Sequence, residues 1–154
     1  MLDPTLKIKH TLDALFGQGV SRHLPKNIDF KFSKKNGRIR YVYQNSDLLC
    51  TLRTDGGIAL TPYFAKILLK SKKFLENCIE VDNDSKPFVE QGKSVFCGHI
   101  KKCGKNVMIG SDVAILHKKN VIAVGKAVLS YDMIMSQKQG VAVKVRDSLK
   151  SQAG

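Results

Sequence analysis

The sequence predicts an α+β protein built from two small domains, and three observations carry that prediction. Apolar residues fall near helical spacing over Leu6 to Phe16, they alternate with polar residues over Ile28 to Tyr43, and from Gly92 to Arg146 short β-branched runs end repeatedly at glycine. At 154 residues with 43% hydrophobic composition, the chain is long enough for one ordinary domain or two small ones without covalent staples.

Taken in order, Leu6, Ile8, Leu12, Leu15 and Phe16 predict one amphipathic helix that Gly17 and Gly19 stop. Ile28, Phe30 and Phe32 then alternate with polar residues, Lys34-Lys35-Asn36-Gly37 supplies a turn, and Ile39, Tyr41 and Tyr43 resume the alternation. That is a hairpin signal. A third strand is expected over Leu48 to Leu52, and Asp55-Gly56-Gly57 turns the chain into a fourth at Ile58 to Leu60. Thr61 is placed to cap a helix with Pro62 at its first position, running from Tyr63 to about Lys70. The basic run around Ser71 ends this half, and the boundary is placed after residue 76, giving domains at 1–76 and 77–154.

In the second half a strand is expected at Ile79-Glu80-Val81, a short helix at Pro87 to Gln91, and a helical turn at Tyr131 to Ser136. Four glycine-punctuated runs fill the rest: GKSVFCGHI, IGSDVAIL, VIAVGKAVLSYDM and KQGVAVKVR. Glycines 92, 98, 104, 110, 125 and 140 mark turns or close backbone approaches, which predicts strongly bent strands. Lys150 to Gly154 are expected to fray.

A net charge of +13 and a pI near 9.7 make a polyanionic partner the leading expectation, against a merely solubilising lysine surface. The charge is not confined to a tail: fourteen basic residues face six acidic ones through Glu76, and twelve face seven after it. No stretch approaches the roughly 20 apolar residues that cross a bilayer, so no membrane partner is expected. Four scattered cysteines and the absence of a signal-peptide apolar core after Met1 fit a cytoplasmic setting.

The order strand, short helix, Gly-Lys-Ser-Val, Val-x-Val-Gly-Lys-Ala, Leu-Ser-x-x-Met and Lys-x-Gly-Val-Ala-Val over residues 77 to 148 resembles the PUA domain. That is the RNA-binding module of pseudouridine synthases and archaeosine transglycosylases. The upstream block GRIRYVY with DLLCTLRTDGGIALTPYFAKILL resembles the small domain preceding PUA in archaeal tRNA-guanine transglycosylases. The resemblance implies a PUA-like β-pseudobarrel with short helices in the second half, and binding of structured RNA, transfer or ribosomal. One departure is that the usual Gly-Asp-Glu-Val loop reads Gly110-Ser111-Asp112-Val113, which displaces the acidic position.

Candidate RNA contacts follow residue by residue. The resemblance implies contact at the short helix and the turn after it, hence Gly92, Lys93 and Ser94, where the alternative is an ordinary helix stop. Phe96 alternates with these residues and is expected to point into the barrel. On the last strand Lys144 and Arg146 share one side opposite Val141, Val143 and Val145, and the resemblance places that strand beside the RNA-binding helix; a charged, solvated edge is the alternative. His99, Lys101 and Lys102 form a second cluster. In the first half Arg38 and Arg40, with Lys34, Lys35 and Arg53 nearby, extend the footprint, whereas Tyr41 and Tyr43 at strand spacing read as core more readily than as base-stacking rings.

No cofactor is expected. Cys97, His99 and Cys103 are close, but C-x-H-x-x-x-C lacks the paired C-x-x-C of structural zinc sites. The sequence shows no G-x-S-x-G elbow, and Gly92-Lys93-Ser94 matches only the end of a G-x-x-x-x-G-K-[ST] phosphate loop. A non-enzymatic RNA-binding protein is therefore expected, acting with or without an RNA-modifying enzyme as partner; the competing expectation is a protein-interaction subunit of such an enzyme.

Overall fold

The computed structural model describes residues 3–149, so the fraying expected at Lys150 to Gly154 lies outside the described residues. The chain forms two compact units that divide between Phe74 and Leu75. Among the described residues no helix is long and apolar enough to cross a membrane.

In the first unit α1 spans Pro4–Phe16, with the Asp3 side chain accepting the Thr5 N–H at its start. Ile8, Leu12 and Phe16 recur every fourth residue and are buried, while Leu6 and Leu15 stay exposed. The helix end is tied down by Asp13, whose carboxylate accepts the Ser21 N–H at 2.9 Å. A meander follows, β1 (Ile28–Phe32), β2 (Ile39–Gln44), β3 (Asp47–Leu52) and β4 (Ile58–Leu60), paired in that order and antiparallel throughout. Val42, Leu49, Cys50, Ile58 and Leu60 are buried on it. Helix α2 (Pro62–Leu68) begins where the Thr61 hydroxyl accepts the Phe64 N–H, with Pro62 in its first turn as the sequence predicts.

The second unit is a nearly closed pseudobarrel of six strands, β5 (Cys78–Val81), β6 (Val95–Phe96), β7 (Ile100–Cys103), β8 (Asp112–His117), β9 (Asn120–Ala127) and β10 (Val141–Ser148), in the order β6-β10-β9-β8-β5-β7. Among the described residues only β5 and β8 pair in parallel. Helices α3 (Lys86–Glu90) and α4 (Tyr131–Ser136) complete it, and Val89 and Ile134 carry them into the core with Ile79, Val113, Ile115 and Val143. The α+β class and the pseudobarrel match the sequence expectation.

The six punctuating glycines divide into two physical groups. Gly92, Gly110 and Gly140 have positive φ, whereas Gly98, Gly104 and Gly125 face backbone of another segment. At Gly125 a Cβ would lie 2.3 Å from the Lys144 carbonyl oxygen, so only a glycine lets β9 and β10 approach at this bend.

Candidate nucleic-acid interface

The short helix and its turn are built from local hydrogen bonds. Asp82 accepts the Ser85 N–H at 2.9 Å ahead of α3 and is held on its other side by His99 Nδ1 at 2.9 Å. Burial pushes the Asp82 carboxyl up, but hydrogen bonds from His99 and Ser85 outweigh it and hold the group below the usual carboxylate range. At the far end the Gly92 N–H reaches the Val89 carbonyl and the Lys93 N–H the Phe88 carbonyl, a Schellman closure with Gly92 at φ 88°. Gly92 is thus a helix stop in structure, and the stop is what presents Lys93. Its ammonium lies over the Phe88 ring at 5.5 Å, and Phe88 is 52% exposed. Ser94 follows, half-buried, at the entry to β6.

Strand β10 brings the last-strand residues beside that turn. Val143 pairs with Val95 and both are fully buried, so Phe96 and Lys144 flank the pair on the outward face. The expectation that Phe96 points into the barrel is therefore corrected: it is 50% exposed, because Val95 and Cys97 occupy the inward positions. Ser148 Oγ donates to the Glu90 carbonyl at 2.8 Å, fastening β10 to the end of α3. The structure thus gathers Gly92, Lys93, Ser94 and Lys144 into one region.

It adds Lys126, which the sequence reasoning missed. Lys126 on β9 stands directly opposite Lys144 on β10, and both are exposed. Like charges in direct cross-strand register repel, and although Asp112 on β8 is the other register neighbour of Lys126, its carboxylate is taken by Arg146, so this pair is a position that favours an anion. The only sequence signal for it is the Val-Gly-Lys-Ala run, which gives no indication of the register.

Arg146 takes a different part. The register shifts between Val145 and Asp147, leaving Arg146 as the extra residue of a bulge. Its two terminal nitrogens grip both carboxylate oxygens of Asp112, one at 3.1 Å, and Asp112 is only 4% exposed. This revises the sequence reading that joined Arg146 to Lys144 as phosphate ligands, because the Arg146 fork is committed to a buried carboxylate. It also gives the displaced acid of the Gly110-Ser111-Asp112-Val113 loop its structural partner.

Lys101 and Lys102 lie on β7, an edge strand of the sheet. Lys102 pairs in register with Glu80, and the shift beside it leaves Lys101 as a bulged residue, so both are exposed. Charges on an edge of this kind block sheet-to-sheet pairing. Among the described residues no group of three or more His, Cys, Asp or Glu is arranged to hold a metal ion. Burial raises the Cys97 thiol and pushes Cys103 up to about 11.

In the first unit Arg38 and Arg40 are exposed at the turn end of the β1–β2 hairpin, close to Lys34 and Lys35 in the turn itself. With Arg53, Ser33, Asn36 and Thr51 they line a cleft of about 430 Å³. Tyr41 and Tyr43 are not core. Val42 between them is fully buried, so both rings take the opposite face, half-exposed and 6.3 Å apart. Arg40 is the extra residue of a β-bulge, which places it beside Tyr41, with the guanidinium 5.3 Å from the ring centre. The reading of these tyrosines as core failed because alternation does not say which face carries the helices.

Comparison with known proteins matches residues 77–149 to the PUA domain and residues 7–74 to the patch-forming domain C2 of tRNA-guanine transglycosylase. The chain is 32% identical over 151 residues to a tRNA-guanine(15) transglycosylase of Methanobrevibacter smithii and 31% identical over 148 residues to that of Methanothermobacter thermautotrophicus. These alignments take in 96% and 94% of the chain but span 23% of each relative's length. Among solved structures it is similar to a hypothetical protein of Pyrococcus horikoshii, with TM-score 0.74 and 19% identity, over 94% of this chain and 89% of that one. A conserved PUA domain protein of Thermoplasma acidophilum is similar with TM-score 0.63 and 18% identity, over 92% and 90%.

Proposed function

From the premise that this chain belongs to the PUA-domain proteins, with a patch-forming domain C2 ahead of the PUA domain and homology to the C-terminal region of archaeal tRNA-guanine(15) transglycosylase, we propose that it binds structured RNA in transfer-RNA modification. The acceptor end of transfer RNA is the specific candidate, held by the second unit and presented to a separate modifying enzyme. One observation carries the reading: Lys126 and Lys144 stand opposed, neither in an ion pair among the described residues, on the same outward face as the exposed Phe96, with Asp112, the other register neighbour of Lys126, already held by Arg146, and β10 is fastened to the helix whose end presents Lys93.

The chemistry is that of backbone recognition. Lys93, Lys126 and Lys144 neutralise phosphates, the amides and hydroxyl of the Gly92 to Ser94 turn add polar contacts, and the exposed Phe88 and Phe96 rings take the face of a terminal base. Phosphate neutralisation releases counterions, so the logarithm of the affinity falls linearly with log salt, with a slope of about 0.9 per phosphate on a duplex. Measured by fluorescence anisotropy against transfer RNA over a salt series, Lys93→Gln, Lys126→Gln and Lys144→Gln are each expected to weaken binding and lower the slope by about 1. Unchanged slopes in all three, or no binding by the wild-type chain at the lowest salt, overturn the reading. Capture of a protein partner in place of RNA would then favour an interaction subunit.

A further inference from the structure

The N-terminal sheet has one face covered and one open, and the open face carries chemistry that packing does not require. Val42 and Cys50, paired across β2 and β3, are buried, while Tyr41, Tyr43 and Thr51 turn the other way and remain partly open to solvent. Each ring already holds a cation: Lys31 Nζ lies 5.4 Å from the Tyr43 ring centre, and Arg40 lies over Tyr41 while donating from Nε to its hydroxyl at 3.1 Å. The rings are tilted by 48°, so they are not stacked on one another.

The cleft adjoins this face through shared residues. Arg40 lines it and touches Tyr41, and Thr51 lines it and pairs in register with Tyr41. Arg53 there is partly neutralised by Asp55 at 3.3 Å. Arg38 has no ion-pair or side-chain hydrogen-bond partner among the described residues, which leaves its planar fork for an external anion. Asp29, opposite Tyr43, and Asp55 are the carboxylates at the border, against Lys31, Arg38, Arg40 and Arg53.

We propose that this face is a second nucleic-acid site that takes unpaired nucleotides of a single strand, with bases on Tyr41 and Tyr43 and a phosphate in the Arg38–Arg40 cleft. Aromatic rings edged by cations suit a single strand, because its bases offer free faces and its backbone follows at short range. A duplex offers phosphates but keeps its bases stacked inside. The inference takes its ligand class from the RNA-binding reading but rests on different residues.

The test uses the full chain and a hexauridylate carrying one central 2-aminopurine, at low salt, with a twelve-pair RNA duplex alongside. The single strand is expected to bind with quenched 2-aminopurine emission and the duplex to show no dependence on the tyrosines. Tyr41→Leu with Tyr43→Leu is expected to weaken the hexamer about tenfold or more, Tyr43→Phe to retain wild-type affinity, and Arg38→Gln to lower the salt slope by about 0.7. Circular dichroism of the double-leucine chain shows whether it is folded; if it is not, Tyr43→Leu alone against Tyr43→Phe decides the same question. Wild-type affinity in the leucine variants, or binding without quenching, overturns the proposal. Loss of transfer-RNA binding in the Lys126 and Lys144 variants with hexamer binding intact supports two separate sites, whereas equal loss of both ligands in those lysine variants alone leaves one site, on the second unit.

Discussion

Replacing Arg146 by methionine should destabilise the second unit rather than abolish a phosphate contact. The substitution leaves the Asp112 carboxylate, 4% exposed, without its bidentate partner. Removing one member of a fully buried ion pair costs about 3–5 kcal/mol, because the remaining charge is stranded away from water. The Arg146 side chain is 36% exposed, so water reaches the vacated position and the expected cost falls to about 2–3 kcal/mol. For a unit of this size that corresponds to a melting-temperature loss of about 10–20 °C. Two compact units need not unfold together, so amide exchange in β9 and β10 is the local readout and calorimetry of the full chain the global one. Combining Arg146→Met with Asp112→Asn should recover most of the loss, since no charge is then stranded. An Arg146→Met chain within about 0.5 kcal/mol of wild type, or a double variant no better than the single one, would refute the argument and return Arg146 to the list of free cations.

Gly125→Ala should be destabilising by about 1–3 kcal/mol or more, because the added Cβ meets the Lys144 carbonyl at 2.3 Å and neither strand can yield alone; urea denaturation checks it. Gly92→Ala meets no atom within 4 Å, so its expected cost of about 1–2 kcal/mol comes from φ 88° alone, and Gly92→Asn should cost less. Asp82 has a folded-state pKa below 3.8, so the stability it contributes is present above that value and is lost as pH falls through the lower folded one. Asp82→Asn should therefore flatten the acid limb of the urea midpoint plotted against pH, and an unchanged limb would show that the His99 and Ser85 hydrogen bonds do not set it.

Local punctuation made much of the fold legible. Thr61-Pro62 opens α2, and the run Tyr131 to Ser136 is helical over the expected residues. Such signals act within a few residues and survive in any tertiary context. The site was legible only in part. Lys144 reads as an outward cation from alternation, but its opposition to Lys126 depends on the β9–β10 register, and the capture of Arg146 by Asp112 joins positions 34 residues apart across a bulge. Alternation also failed at Tyr41, where the Arg40 bulge puts two consecutive residues together and where sequence could not say which face the helices cover.

The sequence by itself determined the class of most elements, the points where the chain turns, the strongly basic field and, through the joint order of its motifs, the PUA domain of residues 77–149. These rest on local conformational preference and on charge, which need no partner across the fold. Only the tertiary structure decided which cations stay outside an ion pair among the described residues. Lys126 and Lys144 share an open face, while Arg146, two residues along the same strand, turns to a buried acid, because strand register and a single bulge set which side chains meet.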